Sequence, residues 1–358
     1  MNEWIADAVT EEVASLAPVP QTERDRLRDG PEDKAVFAAA FDATPALRQI
    51  EVGGRAAATE AAGPRLRIAA WNVERLRYLE DIGNTLAQVG ADIVLLSEID
   101  KGMARSGNGH RIAELAERLD GAYAYGVEFV ELGLGNAAET AEHSGEVNIA
   151  GFHGNGIVSR LALQRPFVVR LEAEGGWFER EREEPRIGGR MAIGGQVLLA
   201  GRRVTVVSVH LESHSDAGLR ERQMVHLMDA IDRYDATAPV VIGGDLNTST
   251  FDWKTRRHDL GAVRAALAAD PKRRVCVEPY EPLFARAVER GYDYAASNVS
   301  EAPTQRVDAP LPVDGLGKID WFFTRGLKAY SPAVIPAVRP DGTPSSDHEC
   351  IVVEVELG

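Results

Sequence analysis

The sequence predicts an α/β fold, and three observations carry that expectation. Short apolar or alternating runs of strand type recur from Arg65 onward. Apolar residues at helical spacing stand between some of them. The composition, 44% hydrophobic and 27% charged over 358 residues, is that of a folded globular chain with a full core, in one large domain or two ordinary ones.

Residues 1–63 read as an appended helical segment, with amphipathic helix candidates at 2–16 and 31–41 and an Ala/Gly stretch that ends at Pro64. Trp4, Leu16, Phe37 and Phe41 give it apolar surface with which to dock. The main body, 64–358, opens with a strand over Leu66–Trp71, followed by a helix that repeats Leu79, Ile82, Leu86 and Val89 on one face. Ile93–Ser97 is the next strand. Weaker strand signals broken by Gly fill 120–200, where GNAAETAEHSGEVN reads as a surface loop. Val204–His210 is a strand, and Met224, Leu227, Met228 and Ile231 mark a buried helix face on which the methionines are core. Val240–Gly243 follows as a strand, RRHDLGAVRAALAAD as a helix, and APTQRVDAPLPVDGLG as a long Pro-rich connection of the kind that often forms sites. Ile319–Phe323 and Cys350–Val355 complete the strands.

Forty Lys and Arg against 55 Asp and Glu give a formal charge of -15, a field that repels polyanions and disfavours nucleic acid as a partner. A local basic rim is conceivable at Arg180, Arg182, Arg186 and Arg190, but these alternate with Glu179, Glu181, Glu183 and Glu184 and read as a solvated loop. No basic, aromatic-interleaved stretch suited to single strands stands out. Cys276 and Cys350 sit among apolar neighbours without metal or redox spacing, so both are expected to be buried, inert thiols. The acidic N-terminus lacks the character of a signal peptide and no apolar run is long enough to span a bilayer, which points to a cytoplasmic protein.

The strands end on chemistry. RIAAW stops at Asn72, IVLLS at Glu98, VTVVSV at His210 and VVIGG at Asp245, with Asn247 two residues further on. Asp320 lies within KIDWFF, and Asp347 and His348 immediately precede ECIVVEVEL. In an antiparallel pair the start of one strand lies beside the end of its neighbour, so these groups can meet at one edge. Any one of them is an ordinary turn, cap or core residue; together they suggest a site. Carboxylates such as Glu98 and Asp320 next to apolar runs must be paired, protonated or metal-bound. Oxygen ligands from Glu98 and Asn72 suit a hard ion, Mg²⁺ or Mn²⁺. HExxH, CxxC, GxSxG, Walker and GxGxxG patterns are all missing.

WNV at Asn72, LSEID at Glu98, HGNGIVSR, SVHLES at His210, GGDLNTS at Asp245 and Asn247, KIDWFF at Asp320 and SSDHECI at Asp347 and His348 follow one another in an order that resembles the endonuclease/exonuclease/phosphatase superfamily. The resemblance covers about 64–358. It implies a four-layer α/β sandwich, two mainly antiparallel sheets packed face to face with outer helices, and a site at one rim. It further implies metal ligands in Asn72, Glu98 and Asp347 for one or two ions. Asp245, oriented by Asn247, would activate water; His348, held by Asp320, would bind phosphate or protonate the leaving group; His210 would contact the phosphate from the other side. His210 aligns with the phosphatase and deoxyribonuclease branches. His153, Asn155 and Arg190 are candidate substrate contacts. The activity expected is metal-dependent hydrolysis of a small or lipid-like phosphodiester or phosphomonoester, with a nuclease as the alternative and a silent binding protein third.

Overall fold

The structure, a computed structural model, describes residues 8–171, 178, 184–305 and 317–358. The chain enters through β1 (Glu12–Val13), α1 (Gln21–Asp29), α2 (Lys34–Asp42) and β2 (Ile50–Gly54). It continues through β3 (Arg65–Arg75), α3 (Leu79–Val89), β4 (Ile93–Lys101), α4 (Arg111–Arg118), β5 (Ala122–Glu131), α5 (Ala137–Glu142), β6 (Phe152–Ser159), β7 (Gln164–Arg170) and β8 (Arg186–Gly188). The second half comprises β9 (Met191–Leu199), β10 (Arg202–His210), α6 (Ala217–Asp235), β11 (Val240–Asp245), α7 (Trp253–His258), α8 (Leu260–Ala269), α9 (Leu283–Glu289), β12 (Asp320–Arg325), β13 (Leu327–Ile335) and β14 (Cys350–Leu357).

One sheet has the order β1-β2-β5-β6-β4-β3-β14-β13, with β8 also paired to β5; the other has the order β12-β11-β10-β9-β7. Most neighbours are antiparallel, while β1 with β2, β3 with β4 and β10 with β11 are parallel. The period-2 alternation of the strands assigns each residue to a layer. Leu66, Ile68 and Ala70 of β3 and Ile93 and Leu95 of β4 share a core with Ile193, Val204, Val206, Val241 and Phe322, so this core lies between the sheets. Ala69, Trp71, Val94 and Leu96 point the other way and pack under α3, α4 and the N-terminal helices. Val240 and Ile242 of β11 pack under α6 and α9 with Met224, Leu227 and Met228. The fold is thus a four-layer α/β sandwich. Both faces of the central strands are covered, which is why they read as near-continuous apolar runs. No helix of the described residues is long and apolar enough to cross a membrane.

The N-terminal segment joins this frame. The helix expected at 31–41 is α2, capped by Asp33, whose side chain accepts from the Ala35 and Val36 N–H groups. The helix expected at 2–16 is not found in its described part. Residues 8–13 run along the two sheets, and the chain bends at Ala14 and Ser15: Val9 bridges Val168 of one sheet, and Glu12 and Val13 pair with Ile50 and Glu51 of the other. Unpaired edge groups of distant strands out-compete a short, marginal helix. Leu16, Phe37, Phe41 and Leu47 are buried on the outer face of the larger sheet, and the Leu47 carbonyl accepts from the buried Arg170 guanidinium. Trp4 lies outside the described residues. Truncating Leu47, which is 0% exposed, to Ala should cost about 3 kcal/mol. Urea unfolding checks this; a loss below about 1 kcal/mol would mean that the segment adds little to the main core.

Four other expectations change, the first being the surface loop expected at GNAAETAEHSGEVN, which contains α5 because Asn136 and Glu139 cap it reciprocally and Glu139 is buried against Arg105. The helix expected at 256–270 is two helices, because Asp259 ends α7 and turns its Oδ1 onto the Ala262 N–H (2.9 Å) to start α8. Arg186 and Arg190 are not in a solvated run: both are buried, Arg186 against Glu131 (2.9 Å) and Arg190 against Glu128 (2.9 Å). Arg180, Arg182, Glu179, Glu181 and Glu183 lie outside the described residues, as does most of the Pro-rich connection. Cys350 is buried as expected, whereas Cys276 is partly exposed.

Candidate active site

Strand register builds one half of the site. His210, the last residue of β10, stands opposite Asp245 of β11, and Asp245 stands opposite Asp320 of β12, so three adjacent strands place three polar groups in a row. His348, just before β14, completes it: its Nδ1 lies 2.9 Å from Asp320 Oδ2 and its Nε2 lies 3.6 Å from Asp245 Oδ2. His210 Nε2 approaches the same Asp245 oxygen at 3.5 Å. The other Asp245 oxygen accepts the Asn247 backbone N–H (2.9 Å), and Asn247, at φ 51°, anchors its own amide on the Leu211 carbonyl. A non-glycine residue held left-handed is uncommon, and here it closes the turn that fixes Asp245.

The other half comes from the larger sheet. Asn72 of β3 donates from Nδ2 to Glu98 Oε1 and to Asp245 Oδ2, 3.1 Å each, and so ties the two sheets together. The β3–β4 register shifts between Asn72 and Arg75, and Glu74, Arg75, Leu76 and Glu98 all have positive φ. These irregularities bring the Arg75 guanidinium to 3.0 Å from Glu98 and Glu74 Oε2 to 3.1 Å from the Asp347 backbone N–H. Asp347 lies at the mouth, with half of its side chain exposed.

Burial and charge set the protonation states. Burial works against the His348 cation, yet Asp320, Asp245 and Asp347 hold its pKa well above the ordinary histidine value. Burial pushes Asp320 up to about 6, although the His348 charge beside it pulls the other way. For His210, burial and Arg190 oppose the proton, but Glu128 and Asp245 outweigh them and raise the pKa. Burial also opposes ionisation of Glu98, which Arg75, His153 and His210 nevertheless hold well below the usual carboxylate range. Burial and the neighbouring Asp347 push Glu74 up to about 7.

Two groups of donors can take a cation. Asn72, Glu74, Glu98 and Asp347 can offer oxygens, the donor type that suits a hard divalent ion, and the Glu74 carboxyl among them is raised by burial first and by the charge of Asp347 second. Asp245, Asp320 and His348 form the second, with ligand atoms within 4.8 Å of one another. The structure therefore brings together Asn72, Glu98, His210, Asp245, Asn247, Asp320, Asp347 and His348.

The three candidate substrate contacts lie deeper. His153 rests its Nδ1 on Asp100 (2.8 Å) beside Arg105. Asn155 is fully buried and donates to the Met191 carbonyl, leaving its Oδ1 without a partner. Arg190 reaches His210 at 2.9 Å and Ser213 Oγ at 3.1 Å. Sequence reasoning missed Glu128, which is fully buried and holds His210 Nδ1 at 3.2 Å, and it missed Glu74 and Arg75. Glu128 had a usable signal, a carboxylate inside the apolar strand GVEFVEL, the same signal that picked out Glu98.

A model of the Endonuclease/Exonuclease/phosphatase family matches residues 69–348. No curated protein matches the chain. Among solved structures, an endonuclease/exonuclease/phosphatase from Beutenbergia cavernae is similar with a TM-score of 0.55 at 21% identity, over 83% of this chain and 72% of that one. The human nocturnin catalytic domain, described with a bound sulfate anion, gives 0.52 at 13% identity over 86% and 97% of the two chains. An endonuclease/exonuclease/phosphatase from Bacteroides vulgatus gives 0.51 at 16% over 83% and 100%. At these identities the likeness shows the fold.

Proposed function

The chain belongs to the endonuclease/exonuclease/phosphatase family, and from that premise we propose that it is a divalent-metal-dependent hydrolase of phosphoric esters that works by in-line attack of water. The observation that carries this reading is the row His210, Asp245, Asp320 and His348 facing Asn72 and Glu98 across the sheet junction. Asp245, its Oδ1 fixed by the Asn247 N–H, takes the proton from the attacking water through Oδ2. His348, oriented and kept charged by Asp320, gives a proton to the leaving oxygen or binds a non-bridging one. His210, kept charged by Glu128, receives phosphate charge from the opposite side.

Glu98, Asn72 and Asp347, with Glu74 beside them, are the residues that would hold Mg²⁺ or Mn²⁺, whose chemistry is to neutralise charge on the phosphate. Arg75 keeps Glu98 ionised and in place. Glu98→Ala should raise the Mg²⁺ concentration needed for half-maximal activity by at least about tenfold. An unchanged titration would remove Glu98 from the ligand set.

The test of the function is hydrolysis of a chromogenic phosphodiester and the matching monoester with and without Mg²⁺ or Mn²⁺, in wild type and Asp245→Asn. Metal-dependent turnover lost in the variant supports the reading. Equal turnover by the two proteins would end it.

A further inference from the structure

Glu98 is held from two sides. Asn72 Nδ2 donates to its Oε1 (3.1 Å), and Arg75 Nη1 donates to its Oε2 (3.0 Å). The second contact is at odds with a ligand role. A guanidinium at that distance repels a divalent cation and competes with it for the same oxygen, unless the charge of the arginine is met elsewhere.

It is met by α5. Arg75 Nε lies 2.9 Å from Glu139 Oε1, with Glu184 Oε1 further off at 3.8 Å from Nη2. The other Glu139 oxygen accepts from Arg105 Nη1 (3.1 Å) and from the Asn136 backbone N–H (2.9 Å). The Arg105 side chain has no exposure and donates to both Asp100 oxygens, at 2.9 and 3.0 Å, and to Glu131 at 3.1 Å. Asp100 belongs to β4 and Glu131 to β5, so the sheet itself fixes Arg105. Glu139 is a strut between that fixed post and the arginine at the site.

The helix that carries the strut has no other buried residue. Ala137, Ala138, Thr140 and Ala141 are exposed, and Glu139 alone is buried. Six residues make too short a helix to stand by propensity, so its contacts must hold it. Asn136 accepts the Glu139 N–H (2.9 Å) while Glu139 returns the bond. Asn148 closes the segment, accepting from the Ala104 N–H (2.9 Å) and donating to the Gly133 carbonyl (2.7 Å). Arg77, two residues beyond Arg75, faces Glu142 at the far end of the helix at 3.6 Å. A pinned helix that adds no apolar side chain to the core delivers one carboxylate to Arg75.

We propose that Glu139 is a positioning residue for the metal ligand Glu98 and acts through Arg75. It takes up the charge of the guanidinium and fixes its place, so that Arg75 orients Glu98 without excluding the cation. The proposal rests on the metal-dependent reading above. With the Glu139 charge removed, Arg75 binds Glu98 more tightly and leaves that carboxylate less available to metal.

Mn²⁺ binding without substrate, followed by the paramagnetic resonance signal of the free ion, tests it. Glu139→Gln keeps the reciprocal cap, which Gln also forms, and should weaken binding by at least about tenfold, the usual effect of removing a group that orients a ligand. Its kcat at saturating Mn²⁺ should return to near that of wild type. Glu142→Gln takes the same charge from the same helix at an exposed pair with Arg77, and should leave binding within about twofold of wild type. Adding Arg75→Gln to Glu139→Gln should tighten binding relative to Glu139→Gln alone, because the unmatched guanidinium goes with its partner.

Unchanged binding in Glu139→Gln, an equal loss in Glu142→Gln, or a double variant weaker than Glu139→Gln would overturn the proposal. Loss of the fold in Glu139→Gln, read from its thermal unfolding in EDTA, would also overturn it and make the contact a structural pair. Wild type that binds Mn²⁺ in the expected pattern but hydrolyses no ester would end the hydrolase reading and leave the positioning role standing. Metal-dependent hydrolysis with Mn²⁺ binding indifferent to Glu139 would do the reverse.

Discussion

Asp245→Asn should lower turnover of any phosphate ester by roughly a thousandfold in a chain that still folds, because general-base catalysis contributes about 10²–10⁴. The Asp245 carboxylate stands at the centre of the site: Asn72 donates to its Oδ2 at 3.1 Å, the His210 and His348 Nε2 atoms approach that oxygen at 3.5 and 3.6 Å, and the Asn247 N–H fixes its Oδ1. An amide of the same shape can still accept the Asn247 N–H, but its NH2 group then stands at the Oδ2 place and the hydrogen bond from Asn72 is lost. It cannot take a proton from water, and it removes the charge that His210 and His348 face. The variant should therefore bind metal and unreactive phosphate analogues while failing in the chemical step, so that kcat falls and KM changes little. A drop confined to KM would make Asp245 a binding group and leave the base unassigned.

The polar ends of the strands were legible because two rules coincide. A parallel β10–β11 pair and an antiparallel β11–β12 pair put His210, Asp245 and Asp320 in one register row, and a sequence in which apolar runs stop at such residues records that row directly. Asn72 and Glu98 were legible for the same reason on β3 and β4. What was not legible depends on contacts made across the chain. Residues 8–16 have apolar residues spaced well enough for a helix, but Val9 meets Val168 and Glu12 meets Ile50, pairings that no local window contains. Arg186 and Arg190 alternate with glutamates like a solvated run, and only the arrival of Glu131 and Glu128 from β5 shows that they are buried partners.

The second large effect belongs to His348. Its Nδ1 rests on Asp320 at 2.9 Å, and its Nε2 is the atom turned toward Asp245 at 3.6 Å, so the proton available for a leaving oxygen sits on Nε2. Because Asp320, Asp245 and Asp347 overcome burial and raise the pKa, the ring keeps its proton above the ordinary value of 6.5, and the alkaline limb of the rate profile should lie clearly above that pH. The acid limb should fall near pH 6, where Asp320 takes a proton and ceases to orient the ring. His348→Ala should cost roughly a thousandfold in kcat and abolish the alkaline limb. Asp320→Asn keeps the ring but not its charged partner, so the alkaline limb should survive and move downward by about one pH unit or more, since each unit is only about 1.4 kcal/mol of interaction. The same linkage appears in stability. A histidine whose folded pKa is raised stabilises the fold fully below its unfolded value of about 6.5 and loses that contribution as pH rises through the folded value. In EDTA, the stability deficit of His348→Ala relative to wild type should accordingly be largest near pH 6 and shrink in alkali. A deficit independent of pH, together with an alkaline limb that persists without the imidazole, would assign the proton donor to another group and reduce His348 to packing.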